Sequence, residues 1–279
     1  MAAGFETVSF LSDYGLEDEF VGVVKAVIRG IAPAAAVIDI THQVPPHDVR
    51  AGGLTLARTM QYLPPGVVLA VVDPGVATER KAVAVEVGGA PGADGEEESR
   101  SVLVGPDNGL LAPAVALAGG ARRAVALTND EFHLPAPGPT FAGRDVFAPV
   151  AAHLCNGVEL DELGEPVDPN LLVPGILPLS RTEGGGIESE VLWVDRFGNA
   201  QLNVDPSDID DLGSPVVLRI GERSRTAVRA SAFAELGPGQ IGLIVDSYGL
   251  IAVALDRRSA ADELHLGPGD AVRIEPAGD

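Results

Sequence analysis

Cysteine is almost missing: Cys155 stands alone, which excludes an intramolecular disulfide and any cluster of cysteine metal ligands. Lysine is scarce too, limited to Lys25 and Lys81, and 19 basic residues face 40 acidic ones. The net charge of −21 leaves no basic face for a phosphate backbone, so no nucleic-acid partner is expected. Aromatic residues make up only 4% of the chain, so the core has to come from Val, Leu, Ile and Ala. No apolar run reaches the roughly 18 residues of a membrane span. The opening stretch MAAGFETVSFLSDYG lacks the basic-then-apolar order of a signal peptide, and a cytoplasmic protein with no membrane partner is the expectation. No G-x-G-x-x-G opens the first helix, and G-x-x-x-x-G-K-[ST], H-E-x-x-H and G-x-S-x-G are absent. Dinucleotide, P-loop, zinc-protease and nucleophile-elbow readings therefore have no support.

What is present is ample apolar material, 46% of 279 residues, enough for two domains. In the first half, short apolar runs alternate with helically spaced ones. TVSFLSD, AAVIDIT, GVVLAVVDPG, KAVAVEVGG, SVLVGPDNG and RRAVALT read as strands, and EDEFVGVVKAVIRGI, HDVRAGGLTLARTMQYL and LLAPAVALAGG as helices. This alternation predicts an α/β domain over 1–175 with a largely parallel, buried sheet. The acidic run ADGEEESR reads as a solvated loop between two of those strands. After a proline-rich connector near Val173–Pro178, only short strands and turns follow, which predicts a small all-β, barrel-like domain over 176–279. No internal repeat is found.

Four aspartates close strand-like runs: Asp13, Asp39, Asp73 and Asp107. In an open α/β sheet the crevice beyond the carboxyl ends of the strands is where ligands bind. Aspartate also caps helices and builds turns for structural reasons alone. Hard cations take carboxylates, so a divalent metal held by Asp13, Asp73 and Asp107 with His42 or His47 is one option. In DPGVATER, Arg80 can fold back beside Asp73. Such a pair is either a rim salt bridge or a means of keeping a carboxylate ready to hold a water.

Six stretches occur in one order between Phe10 and Asn203: FLSDYGLEDEFVG, VIDITHQVPPHDVRAGG, VVDPGVATERKAVAVE, VGPDNGLL, TFAGRDVFAPVAAHL and VDRFGNAQLN. Together they resemble the S-adenosyl-L-methionine (SAM) hydroxide adenosyltransferases, relatives of the fluorinases and chlorinases. The resemblance implies an N-terminal α/β domain and a C-terminal β-barrel, assembled as a homotrimer with each active site between subunits. It implies displacement of methionine from C5′ of SAM by water, with SAM as substrate and no cofactor. Asp13 would take the ribose hydroxyls, with His47 nearby, and Gly143 would line the substrate site. Asp195 would face the methionine ammonium, and Phe197 and Asn199 the adenine. Ser247 and Tyr248 would contact the methionine. Asp195–Asn199 also reads as a plain hairpin turn with Gly198 at positive φ.

Asp73 and Arg80 match the water-activating set of the hydrolases; the halogenases carry Tyr at the first of these positions. The third member of that set is a histidine, and this chain has Ala142 instead, by deliberate exchange or natural departure. A positioned base contributes about 10²–10⁴-fold, so slow hydrolysis is expected. His133 is the nearest replacement in sequence. The alternative is a non-catalytic sensor of SAM or a nucleoside; metal-dependent hydrolysis and halide transfer rank below it.

Overall fold

The computed structural model describes residues 4–88 and 100–277. The acidic run ADGEEESR therefore lies outside the described residues except for Arg100. Two compact units are present, Met1–Ile176 and Leu177–Asp279.

The first unit runs β1 (Thr7–Ser12), α1 (Phe20–Ile31), β2 (Ala36–Thr41), α2 (Val49–Thr59), β3 (Val67–Val71), β4 (Ala82–Val87), β5 (Ser101–Pro106), α3 (Ala112–Leu117), β6 (Ala121–Ala126), α4 (Ala148–Cys155) and β7 (Glu165–Val167). Its strands form one sheet in the order β2-β1-β3-β5-β4-β6-β7. The β2-β1-β3-β5 half is parallel, as the alternation predicts. The remaining strands add on antiparallel, beginning with the β4–β5 pair.

Continuous apolar strands are what a sheet covered on both faces requires. In β3, Val67, Leu69 and Val71 pack with Val24 and Ile28 of α1 and Val150 and Leu154 of α4. Val68 and Ala70, with Val72 just beyond, point the other way onto Leu56 of α2 and Ala114 of α3. Helix α2 starts where the Asp48 carboxylate accepts the Ala51 N–H at 2.8 Å, a side-chain N-cap.

The order of winding places the site. From β1 the chain crosses one face through α1 to the edge strand β2. It then crosses the opposite face through α2, passing β1, to reach β3. The winding reverses between β1 and β3, and at such a switch point the strand ends diverge and leave a crevice.

The second unit comprises β8 (Arg181–Glu183), β9 (Gly186–Val194), β10 (Ala200–Leu202), β11 (Val216–Ile220), β12 (Arg223–Arg229), β13 (Ile241–Val245), β14 (Ile251–Ala254), α5 (Ala260–Leu264) and β15 (Ala271–Pro276). The order β10-β14-β13-β12-β11-β15-β9 closes on itself through a β9–β10 pairing, with β8 added outside the ring on β9. Closure removes the open edges that would otherwise invite mispairing. Val191, Leu202, Leu218, Val253, Val272 and Ile274 fill the interior. Among the described residues no helix is long and apolar enough to cross a membrane.

Candidate active site

Strands β1 and β3 lie side by side, Ser12 opposite Val71, so the residues that follow them emerge together at the switch point. Asp13 follows β1 directly. Its Oδ2 accepts the backbone N–H of His47 at 2.9 Å. His47 adopts φ 67, a left-handed conformation that costs a non-glycine residue about 1–2 kcal/mol. The strained residue is thus the one whose N–H latches the β2–α2 loop to the Asp13 carboxylate.

Asp73 lies just beyond β3. Arg80 Nε donates to its Oδ1 at 2.8 Å, and Arg80 Nη2 donates to Oδ2, a two-pronged grip. Only 6% of the Asp73 side chain is exposed. The guanidinium also lies 5.3 Å from the centroid of the Phe147 ring, so its plane is fixed from a second side. A carboxylate held this way keeps free lone pairs in one direction only.

The third wall comes from the start of α4. Gly143–Phe147 form a wide π turn in which the Ala148 N–H reaches back to the Gly143 carbonyl. Such turns widen a helix locally and occur often at functional sites. Ala142 opens this turn and sits at the lip of the cleft. Asp13, His47, Asp73, Ala142 and Gly143 all line one cleft of about 220 Å³.

Tyr14 lines the same cleft, and the sequence reading missed it. Its ring packs on Phe20 at 5.6 Å and edge-on against Phe141 at 5.7 Å. The phenol titrates well above its ordinary value, because burial disfavours the phenolate and the Asp13 and Asp73 carboxylates repel it. An aromatic next to a strand reads from sequence as core, and half of this one is.

Two of the four strand-end aspartates do not join the cleft, because each is taken by another partner. Asp39 accepts from Lys25 Nζ at 2.6 Å and lies 3.1 Å from His42 Nε2. Burial pushes its carboxyl up, but those hydrogen bonds outweigh it and leave the pKa below the ordinary value. Asp107 accepts the Val173 N–H at 2.8 Å and so fastens the connector. His42 is buried against Ser12 Oγ at 2.8 Å. No group of three or more His, Cys, Asp or Glu able to hold a metal is present among the described residues. His133 lies beside Asp130 and does not line the cleft. Arg144 and Asp145, next along the π turn, pair with each other at 2.6 and 2.9 Å.

In the barrel unit a separate cleft of about 1040 Å³ is lined by Asp195, Phe197, Asn199, Ser247 and Tyr248, all singled out from sequence. Trp193 and Gln201, which were not, line it too. The turns bearing these residues are built alike. Asp195 Oδ1 accepts the N–H of Phe197 at 2.9 Å and of Asn199 at 2.8 Å, while its own N–H bonds Asn199 O. Asp246 Oδ1 accepts the N–H of Tyr248 at 2.8 Å and of Leu250 at 3.1 Å, while its own N–H bonds Leu250 O. Gly198 at φ 82 and Gly249 at φ 83 close the two turns. Asn199 Nδ2 also donates to Asp195 Oδ2 at 2.8 Å. The hairpin-turn reading of Asp195–Asn199 thus describes the backbone, and the same turn leaves Phe197 78% exposed at its tip.

Comparison with known proteins adds to this geometry. Residues 8–164 match the family described as the SAM hydroxide adenosyltransferase N-terminal domain, and residues 189–273 its C-terminal domain. The chain is 47% identical over 267 residues to an (R)-S-adenosyl-L-methionine hydrolase of Salinispora tropica, covering 96% of this chain and 97% of that one. It is 44% identical over 277 residues to one of Thermus thermophilus, covering 96% and 98%. A fluorinase of Actinoplanes is 28% identical, with 99% of both chains covered. The crystal structure of an uncharacterized conserved protein from Thermotoga maritima superposes with a TM-score of 0.83 at 34% identity, covering 96% of this chain and 99% of that chain.

Proposed function

The chain belongs to the SAM hydroxide adenosyltransferase family, and on that premise we propose that it hydrolyses S-adenosyl-L-methionine to adenosine and L-methionine. The observation that carries this reading is the Asp73–Arg80 grip at the switch point, beside Asp13 and in one cleft with Ala142. A water whose hydrogen bonds to Asp73 turns its lone pair away from the carboxylate. Attack on C5′ forms the C–O bond of adenosine while the C5′–S bond breaks. Its electron pair passes to sulfur, which leaves as the neutral thioether of methionine. The surplus proton of the water goes to Asp73 and on to solvent.

Sulfonium is a good leaving group, so holding the water in line supplies much of the acceleration by itself. Asp13 takes the ribose diol, with His47 beside it, and Gly143 lines the pocket wall. In the barrel, Asp195 faces the ammonium, Phe197 and Asn199 the adenine, and Ser247 and Tyr248 the methionine. We take the active sites to lie between neighbouring subunits of a cytoplasmic homotrimer. The relatives' names specify the (R) epimer, and we extend that preference to this chain. A Tyr at position 73 would instead suit the halogenases, so halide transfer is not the reaction.

The test is chromatographic detection of adenosine and methionine after incubation with (R)- and (S)-SAM, beside an Ala142→His variant. Slow release from the (R) epimer that rises about 10²–10⁴-fold with histidine is expected. Tight binding of SAM with no adenosine from either protein would leave a sensor and remove the enzyme.

A further inference from the structure

We propose that the Tyr14 hydroxyl is a catalytic group of this hydrolysis, holding the attacking water beside Asp73 in the cleft that both line with Ala142. The proposal rests on the hydrolase reading above and concerns how it proceeds without a histidine at position 142.

Three observations converge on the hydroxyl. The phenolic oxygen lies 2.1 Å from where a Cβ on residue 143 would stand, so it touches the wall one residue from Ala142. Tyr14, Asp73, Ala142 and Gly143 all line the same cleft. The ring is largely buried, but the hydroxyl oxygen is not sealed off and opens to the cleft. A phenylalanine would fill the ring's place between Phe20 and Phe141 but would present no polar atom to the cleft. The hydroxyl can therefore bond a water or a ligand in the cleft.

The geometry gives that water two acceptors. One hydrogen goes to Asp73, and the other to the phenolic oxygen. The lone pair is then directed away from both and toward the ligand. The raised affinity of the phenol for its own proton means that Tyr14 stays neutral throughout. It orients the water and takes no proton; the proton lost on C–O bond formation leaves through Asp73. An imidazole at position 142 would supply the same orientation from the neighbouring backbone position, and the two groups would be redundant.

The experiment is a double-mutant cycle on adenosine release from SAM, using the unsubstituted chain, Tyr14→Phe, Ala142→His and the double variant. Tyr14→Phe is expected to lower kcat about tenfold with KM within about twofold, at every pH alike, since no titrating group is lost. In the Ala142→His background the same substitution is expected to cost several-fold less, because the histidine holds the water. An equal loss in both backgrounds, or a loss in KM with kcat kept, would reduce Tyr14 to packing and overturn the proposal. No adenosine from the unsubstituted chain or from Ala142→His would overturn the hydrolase reading and this proposal with it.

Discussion

The phenolic oxygen of Tyr14 occupies space that a side chain at position 143 would need: a Cβ there would lie 2.1 Å from it and 3.0 Å from Tyr14 Cζ. Glycine at 143 is what lets the turn after β1 close against the first turn leading into α4. Gly143→Ala is therefore expected to destabilise the protein by about 1–3 kcal/mol, the usual penalty of overpacking. Adding Tyr14→Phe should restore part of that loss, since the nearest atom then retreats to the ring carbon. Urea unfolding of the three variants decides it; an alanine tolerated without loss would mean the two segments are not held in contact.

The pairing of Tyr14 with Gly143 shows where the sequence is legible and where it is not. Asp13 and Asp73 can be read from sequence because each ends an apolar run in a turn, and Arg80 because it returns within one short loop. Asp107 and Asp39 carry the same local signature, yet their partners Val173 and Lys25 are visible only in three dimensions. The switch point depends on β1 lying between β2 and β3, an order no local pattern encodes. Alternation of strands and helices reveals the α/β unit, and short strands with turns the barrel unit. The closing β9–β10 contact sets the barrel, and it follows from its Asp-x-aromatic-Gly turn. That four-residue pattern recurs at Asp246–Gly249 but is too short to register as a repeat.

Arg80 and Asp73 form a pair with 15% and 6% of their side chains exposed, so removing one partner strands the other. Arg80→Ala is expected to cost about 3 kcal/mol of stability, because Asp73 remains as a buried carboxylate without its counter-ion. Arg80→Lys keeps the charge but loses the fork and the stacking on Phe147. It should stay folded with kcat lowered about tenfold or more. Thermal unfolding and turnover measured together test this: a lysine variant with full activity would show that charge alone, without the fork, suffices.

The twin turns of the barrel allow a controlled comparison. Gly198 and Gly249 have almost the same φ, 82 and 83, but different surroundings. A Cβ on Gly198 would stand 2.1 Å from Ser259 Oγ, whereas one on Gly249 would meet nothing within 4 Å. Gly249→Ala should lose only the left-handed backbone penalty of about 1 kcal/mol. Gly198→Ala should lose at least about 1 kcal/mol more through the clash. Equal melting temperatures for the two variants would contradict the close packing of Ser259 on the first turn.

Cys155 is the sole cysteine, so its chemistry can be followed without ambiguity. Burial pushes the thiol from its ordinary 9.0 up to about 11. Its Sγ lies 4.0 Å from the Thr7 carbonyl, and the side chain packs on the core between α4 and the sheet. This is the environment of a packing thiol rather than a nucleophile. With the folded value raised above the unfolded one, the folded state keeps its proton where the unfolded chain has lost it. The stabilising contribution is complete below about pH 9 and is lost as the pH rises toward 11. Two consequences follow. At pH 8 the folded thiolate population is roughly 100-fold below that of the unfolded chain, so alkylation by iodoacetamide, read by mass spectrometry, should be slower by about that factor than in urea. The decline in stability between pH 9 and 11 should be shallower in Cys155→Ala than in the unsubstituted chain. Alkylation as fast in the folded protein as in urea would instead place the thiol in solvent, and with it the inner face of α4.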